Sequence, residues 1–255
     1  MSNLTVILPV NEFNNELKGL YKRAIASIPA EAEVIVVGDK KTLEKYKKET
    51  EANYTFLENE ETDFVNQVNK AVSECKTEYF SVLEVDDEYT PSFYKNFEIY
   101  SKAMPDTFGF MYLNEVYKYT SQEDGPIGYL NEVFWASSFS EVIGYPDEES
   151  LLDYISINLT GAIFKKDVFL EVGALKPLIK VSFWYEFILR ALHKKKEIFV
   201  IPKVGYKHYI EREGSLTSIY QKEISKDEGL WWINLAQQDY VFTKQKDKKH
   251  YIFEK

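Results

Sequence analysis

The first hundred residues alternate between short apolar runs and segments whose apolar positions recur every three or four residues. Leu4–Leu8 is an apolar run closed by Pro9. Glu16–Ile28 follows, with Leu17, Leu20, Tyr21, Ala24, Ile25 and Ile28 at helical spacing. Val34–Val37 is wholly apolar, as a strand covered on both faces should be, and Gly38-Asp39 ends it. The pattern then predicts a polar helix over Thr42–Glu51, a weak strand over Tyr54–Leu57 and a helix over Asp63–Cys75, with Phe64, Val68, Ala71 and Val72 on one side. Glu78–Val85 is the next strand and Ser92–Met104 the next helix. Such alternation predicts an α/β fold with a mostly parallel central sheet flanked by helices.

The second half is less regular. Phe108–Val116 reads as a strand, and Tyr119–Asp147 as a long loop region of the kind that often binds ligands. Leu159–Phe164 is apolar around Gly161, and a helix over Lys166–Val172 stops at Gly173. Phe183–His193 is a strongly apolar helix and Ile198–Pro202 a strand. Gly205–Thr217 is predicted to be a loop carrying His208 and Arg212, and Lys222–Phe242 a closing helix containing Trp231 and Trp232. No repeat, low-complexity linker or boundary interrupts the pattern, so a single domain over residues 1–255 is expected.

Composition narrows the partners. Of 255 residues, 45% are hydrophobic and 28% charged, the balance of a soluble globular chain. A net charge of −10 argues against a protein that wraps nucleic acid with its whole surface. The basic runs Lys194–Lys196 and Lys244–Lys249 read as solvated surface. Cys75 is the one cysteine, which excludes an internal disulfide and a cysteine zinc site, and it reads as a packing residue. The first ten residues lack a basic region before their apolar run and read as a strand rather than a signal peptide. No apolar run approaches the roughly 18 residues of a membrane span. The expected location is cytoplasmic, in a cell or in a virus-infected host cell. The tripeptides beginning at Asn3, Asn53 and Asn158 fit the glycosylation pattern and read as chance matches.

The chemistry is concentrated in Tyr79–Pro91, YFSVLEVDDEYTP. An apolar strand runs directly into Glu84, Asp86 and Asp87. Carboxylates at the end of a buried strand are costly unless a cation meets them. In an α/β chain that place predicts a divalent metal holding a phosphate-bearing ligand. Asn11, Glu12 and Asp39 occupy equivalent strand ends. Asp39 suits a hydrogen bond to a ribose or a base, or simply closes the turn after Gly38. His208, in YKHYIEREGS, suits a metal shell, a diphosphate site shared with Lys207 and Arg212, or a structural loop histidine.

In order along the chain, LTVILPVNE (Leu4–Glu12), VIVVGD (Val34–Asp39), the stretch Asn69–Pro91 and TGAIFKKDVFLEVGALKP (Thr160–Pro177) followed by YEFILRAL resemble the family 2 glycosyltransferases, whose fold is GT-A. The resemblance implies a nucleotide-sugar half over residues 1–105 and an acceptor half over 106–255. It implies metal-dependent, inverting transfer of a sugar from a nucleotide-diphosphate sugar, by default a UDP-sugar, to an acceptor hydroxyl. Residue by residue, Glu84 takes the first position of the DxD metal motif, Asp86 the second, and Asp87 the acid that often follows. Asp39 matches the acid that contacts the nucleotide, Asn69 the asparagine before the motif, Gly161 a small residue near the acceptor and Arg190 the arginine of the acceptor-side helix. The implied nucleotide-sugar contacts are Pro9, Asn11, Glu12, Asp39, Asn69, Glu84, Arg190 and Arg212. The implied metal ligands for Mn²⁺ or Mg²⁺ are Asp86, Asp87 and His208.

Three positions depart from the family pattern. Gly38-Asp39 replaces a pair of acids, and Glu84 replaces an aspartate. Phe183-Trp184 stands where an acidic pair normally supplies the base. Glu186, amid Phe183, Trp184, Tyr185 and Phe187, is the nearest carboxylate and the expected catalytic base; its bland role is an i,i+4 pair with Arg190. Trp135 fits core packing better than stacking on a sugar. The acceptor is left open among a polysaccharide, a lipid carrier, a protein and a modified nucleobase. The alternative is a GT-A-type binding or virion-associated structural protein without turnover, which the missing acidic pair favours. A nucleotidyltransferase is disfavoured because NEFNNELKG after the first strand is not a basic, glycine-rich phosphate loop.

Overall fold

A computed structural model of the chain describes residues 3–179 and 181–242. The basic run Lys244–Lys249 and His250 lie outside the described residues. In chain order the elements are β1 (Leu4–Pro9), α1 (Asn15–Ala26), β2 (Glu33–Gly38), α2 (Lys40–Lys48), β3 (Thr55–Glu58), α3 (Phe64–Glu74), β4 (Tyr79–Val82), β5 (Glu88–Tyr89), α4 (Phe93–Ala103), β6 (Gly109–Lys118), β7 (Gly128–Leu130), α5 (Ser150–Asp153), β8 (Ile163–Lys165), α6 (Lys166–Val172), α7 (Phe183–His193), β9 (Ile198–Ile210), α8 (Leu216–Glu223) and α9 (Lys226–Gln237).

One sheet runs through the molecule in the order β3-β2-β1-β4-β8-β6-β9-β5, with β7 added to β6. β1 pairs in parallel with both β2 and β4, and β2 with β3, as the β/α alternation predicts. β8 enters antiparallel between β4 and β6, and β6 and β9 are parallel to each other. Strand periodicity divides the core. Leu4, Val6 and Leu8 of β1 join Tyr21 of α1, Tyr46 of α2 and Phe93 of α4 on one face. Ile7 joins Val68 of α3, Phe169 of α6 and Phe187 of α7 on the other. Asn14, Asp39, Asp63, Ser215 and Ser225 each accept a hydrogen bond from the first turn of the helix they precede, which fixes where those helices start.

Two expectations from sequence are corrected. The strand predicted to end at Pro202 continues to Ile210, so His208 stands on β9 rather than in a loop. Its register against β6 shifts between Tyr112 and Asn114, and the bulge accommodates Pro202 and Gly205. The helix expected over Lys222–Phe242 is broken at Ile224–Ser225, because Ser225 caps a new helix.

Gly161 is the glycine on which the next section depends. Its φ is 76°, and an added Cβ would lie 2.3 Å from the Tyr206 ring. Gly161→Ala therefore combines left-handed backbone strain with a ring clash. It is expected to lower stability by about 2–4 kcal/mol, read as a lower urea midpoint with unchanged slope.

Candidate functional site

The end of β4 turns sharply. The Leu83 N–H donates to Ile7 O at 2.9 Å, and the Asp87 N–H donates back to Glu84 O at 3.1 Å. This turn carries Glu84, Asp86 and Asp87, and β9 passes beside it. The Glu84 N–H donates to the Tyr206 hydroxyl at 3.2 Å. Asp87 accepts the Tyr209 N–H on Oδ1 at 2.8 Å and His208 Nδ1 on Oδ2 at 2.9 Å. Arg212, just beyond β9, donates from Nε to Asp86 Oδ2 at 2.7 Å, and both side chains are buried. Thr160 Oγ1 donates to Glu84 Oε1 at 3.1 Å.

The electrostatics follow from three carboxylates meeting two cations. Burial, then Asp87 and Asp86, push the Glu84 carboxyl up to about 8. Burial and Asp87 also raise Asp86, against the opposing pull of Arg212. Burial disfavours the charged form of His208, but Asp87, Glu84 and Asp86 outweigh it and raise the imidazole to about 9. The turn thus holds one more carboxylate than it has cationic partners, and the shift keeps Glu84 largely protonated at neutral pH.

Three cavities meet at Glu84. One of about 270 Å³ is bordered by Pro9, Asn11, Glu12, Asp86 and Arg212 as well as Glu84. A second, of about 540 Å³, includes Thr160, Phe183, Trp184 and His208. A third, of about 290 Å³, touches Asp86, His208 and the start of α8. Sequence reasoning missed several members of this group. Tyr206 and Thr160 fix Glu84, and the buried Gln67 donates to Asn11 Oδ1 at 2.6 Å. Tyr206 and His208 alternate along β9 on one side of the strand, a signal hidden by the premature end read at Pro202.

Other expected residues lie elsewhere. Asp39 caps α2 by accepting the Thr42 N–H at 3.1 Å; hydrogen bonding by the Thr42 side chain, aided by that N–H, holds its carboxyl below the usual range. Asn69 exchanges two hydrogen bonds with the Leu175 backbone, at 2.8 and 3.0 Å. Arg190 donates to Val172 O and Ala174 O, both at 2.7 Å. Together they grip the segment after α6. Glu186, the expected base, faces this structural knot and a separate cavity beside Lys176 and Trp232. Arg190 meets it twice at 2.9 Å, Lys176 Nζ lies at 2.7 Å and the Tyr240 hydroxyl at 2.8 Å. Burial works to raise its pKa, but the Arg190 and Lys176 hydrogen bonds prevail and lower it. A carboxylate so occupied is poorly suited to take a proton from an acceptor.

Among the described residues, no group of three or more His, Cys, Asp or Glu side chains is arranged to hold a metal ion. The chemistry of the turn nonetheless suits a divalent cation with a small protein shell. Hard cations bound with phosphates take one or two carboxylates from protein, and a ligating histidine characteristically donates its other N–H to a carboxylate, as His208 does to Asp87.

No family model matches the sequence, and no curated protein does. Solved structures do match in fold. Staphylococcus aureus TarS residues 1–349 in complex with UDP-GlcNAc superposes with a TM-score of 0.62 at 13% identity, covering 99% of this chain and 77% of that one. The same TarS fragment with UDP gives 0.60 at 14% identity, over 99% and 76%. The mannosyltransferase PcManGT of Pyrobaculum calidifontis, in complex with GDP-Man and Mn²⁺, gives 0.58 at 14% identity, over 96% and 64%. The chain has a GT-A-like glycosyltransferase fold. In this GT-A-like chain the acidic turn stands at the carboxyl end of β4, where open α/β sheets bind ligands. Among its described residues, no helix is long and apolar enough to cross a membrane.

The Glu186 knot has a measurable consequence. Glu186→Gln is expected to cost about 3 kcal/mol, because Arg190 stays buried without its full partner. The carboxyl is lowered on folding, so its stabilisation is present above its unfolded value of 4.5 and is lost as pH falls through the lower folded value. The stability difference between wild type and Glu186→Gln should therefore be large at pH 7 and shrink towards pH 3, in denaturant titrations across that range.

Proposed function

We propose that the chain transfers a sugar from a nucleoside-diphosphate sugar, a UDP-sugar in the first instance, to an acceptor hydroxyl with inversion at the anomeric carbon. The observation that carries this reading is the position of Glu84, a carboxylate common to the 270 Å³ and 540 Å³ cavities. The smaller cavity, with Asn11, Glu12, Asp86 and Arg212, takes the donor. The larger, bordered by Phe183 and Trp184, takes the acceptor. This division follows the expected nucleotide-sugar half, residues 1–105, and acceptor half, residues 106–255, with β9 and Arg212 reaching across.

In a single displacement the acceptor oxygen forms a bond to the anomeric carbon. The bond from that carbon to the diphosphate breaks, and its electron pair leaves with the nucleoside diphosphate. Arg212 offsets the charge that develops on the leaving group. The acceptor's proton passes to the ionised form of Glu84, which the upward shift to about 8 makes the major form only above that pH. Glu84 is the one carboxylate bordering the acceptor cavity among the described residues. Glu84 thus takes the role expected of Glu186. Asp86 and Nε2 of His208 are the groups that would hold Mn²⁺ or Mg²⁺, with Asp87 orienting the imidazole. The ion, when bound, supplies further neutralisation of the diphosphate.

A second reading, a binding protein without turnover, draws on Phe183 and Trp184 standing where the family pattern has an acidic pair. Calorimetry and turnover assays with UDP- and GDP-sugars, with and without Mn²⁺, separate the two. Transfer predicts donor binding and turnover in the wild type. Glu84→Gln should lower turnover roughly 10²–10⁴-fold while donor affinity is kept. Asp86→Asn should instead weaken the Mn²⁺-dependent part of donor binding. Donor binding without turnover under any acceptor would favour the second reading, and no nucleotide-sugar binding at all would end both.

A further inference from the structure

The acceptor cavity has both polar and apolar lining. Glu84, Thr160 and His208 stand at one end, and Thr160 is buried. The rest of the lining mixes apolar Phe183, Trp184, Leu216, Ile224 and Ile233 with polar Asn158, Ser182, Thr217, Tyr220, Ser225 and Lys226. Val181 and Leu230 are 44% and 40% exposed, which marks the mouth. Apolar surface continues outside it, with Trp231 54% exposed on α9 and Ile219 41% exposed on α8. Those two helices are sparsely anchored: among the described side chains, α9 buries only Ala236 and α8 buries none.

Resting on the transfer reading above, we propose that the acceptor is amphipathic: a hydroxyl-bearing head at Glu84 joined to an alkyl or aryl arm that runs out between α7 and α9. A volume of about 540 Å³ is in the range that holds a drug-sized molecule. An unsubstituted oligosaccharide would find partners at residues such as Ser182, Thr217 and Lys226, but would leave Phe183, Trp184, Leu216, Ile224 and Ile233 facing hydroxyl groups they cannot bond. A protein lying flat on the exposed patch would cover Trp231 and Ile219 but would leave the cavity behind them unfilled. An arm fills the walls and brings the polar head to the reacting end. The polar and apolar parts of the cavity therefore select a single molecule with both.

Matched methyl and octyl β-glycosides of glucose and N-acetylglucosamine, kept below micelle-forming concentrations, test this. Affinity is read from KM in transfer and, independently of turnover, from the thermal shift each probe produces. A fully buried methylene contributes about fourfold in affinity, so burial of three of the seven added methylenes gives a ratio of about 60. The octyl compounds should bind more tightly than the methyl ones by that order. Leu230→Asp should collapse the ratio, and Ile99→Asp, at an exposed position on α4, should keep it. Equal affinity for the two chain lengths, no binding of either at millimolar concentration, or an unchanged ratio in Leu230→Asp would overturn the proposal. Donor binding is measured without any glycoside present, so failure of the transfer reading registers separately.

Discussion

Asp87 is the joint on which the acidic turn depends. It is nearly inaccessible to solvent, and both its oxygens are taken by β9: one by the Tyr209 N–H, the other by His208. A buried carboxylate in that position ties the turn after β4 to a strand about 120 residues later in the chain. With this tie made, Tyr206 lies against Gly161 and reaches the Glu84 backbone, and Arg212 emerges beside Asp86. The upward shifts of Glu84, to about 8, and of His208, to about 9, express one imbalance from its two sides. The acids lack sufficient positive charge, and the imidazole is surrounded by negative charge.

Among the described residues, two buried carboxylate–guanidinium pairs of similar length do opposite things. Glu186 receives Arg190, Lys176 and Tyr240, and its pKa falls. Asp86 receives Arg212 through one oxygen beside a second acid, and its pKa rises. The first pair is electrostatically complete and fastens α7 to the segment after α6. The second has unmet demand for positive charge and borders open cavities. Charge pairing alone does not distinguish a structural link from a reactive site; the balance of surrounding charge does.

How much was legible in the sequence follows the same division between local and distant interactions. The β/α alternation up to α4 was readable because each apolar run meets its own face of the sheet. The acidic strand end was readable because three carboxylates after YFSVL have no apolar explanation. Pro202 and Gly205 concealed the length of β9, since both residues normally end strands and here sit in a bulge against β6. Ser225 concealed the break between α8 and α9, because a serine inside a helical pattern looks tolerable until it caps. The aromatic neighbours of Glu186 in the sequence point to a carboxyl raised by burial, whereas the structure lowers it. Arg190 reverses that first, and Lys176 and Tyr240, which add to it, lie 10 and 54 residues away in the chain.

Phe183 and Trp184 show why the acceptor side departs from the family pattern as a unit. Phe183 packs on Phe64 of α3 with ring centroids 5.5 Å apart, and Trp184 stacks on Phe164 of β8 at 6.4 Å. These rings therefore bind α7 to the sheet as well as lining the cavity. An acidic pair at the same positions would remove both contacts and bring two more negative charges towards a turn that already has a surplus. On the proposed transfer reading, that leaves Glu84, which the sheet already delivers, as the carboxylate facing an acceptor. In the proposed reading, the same aromatic and aliphatic walls that leave Glu84 alone in the cavity also favour an acceptor with an apolar arm, so the base and the acceptor both trace to the Phe183-Trp184 pair.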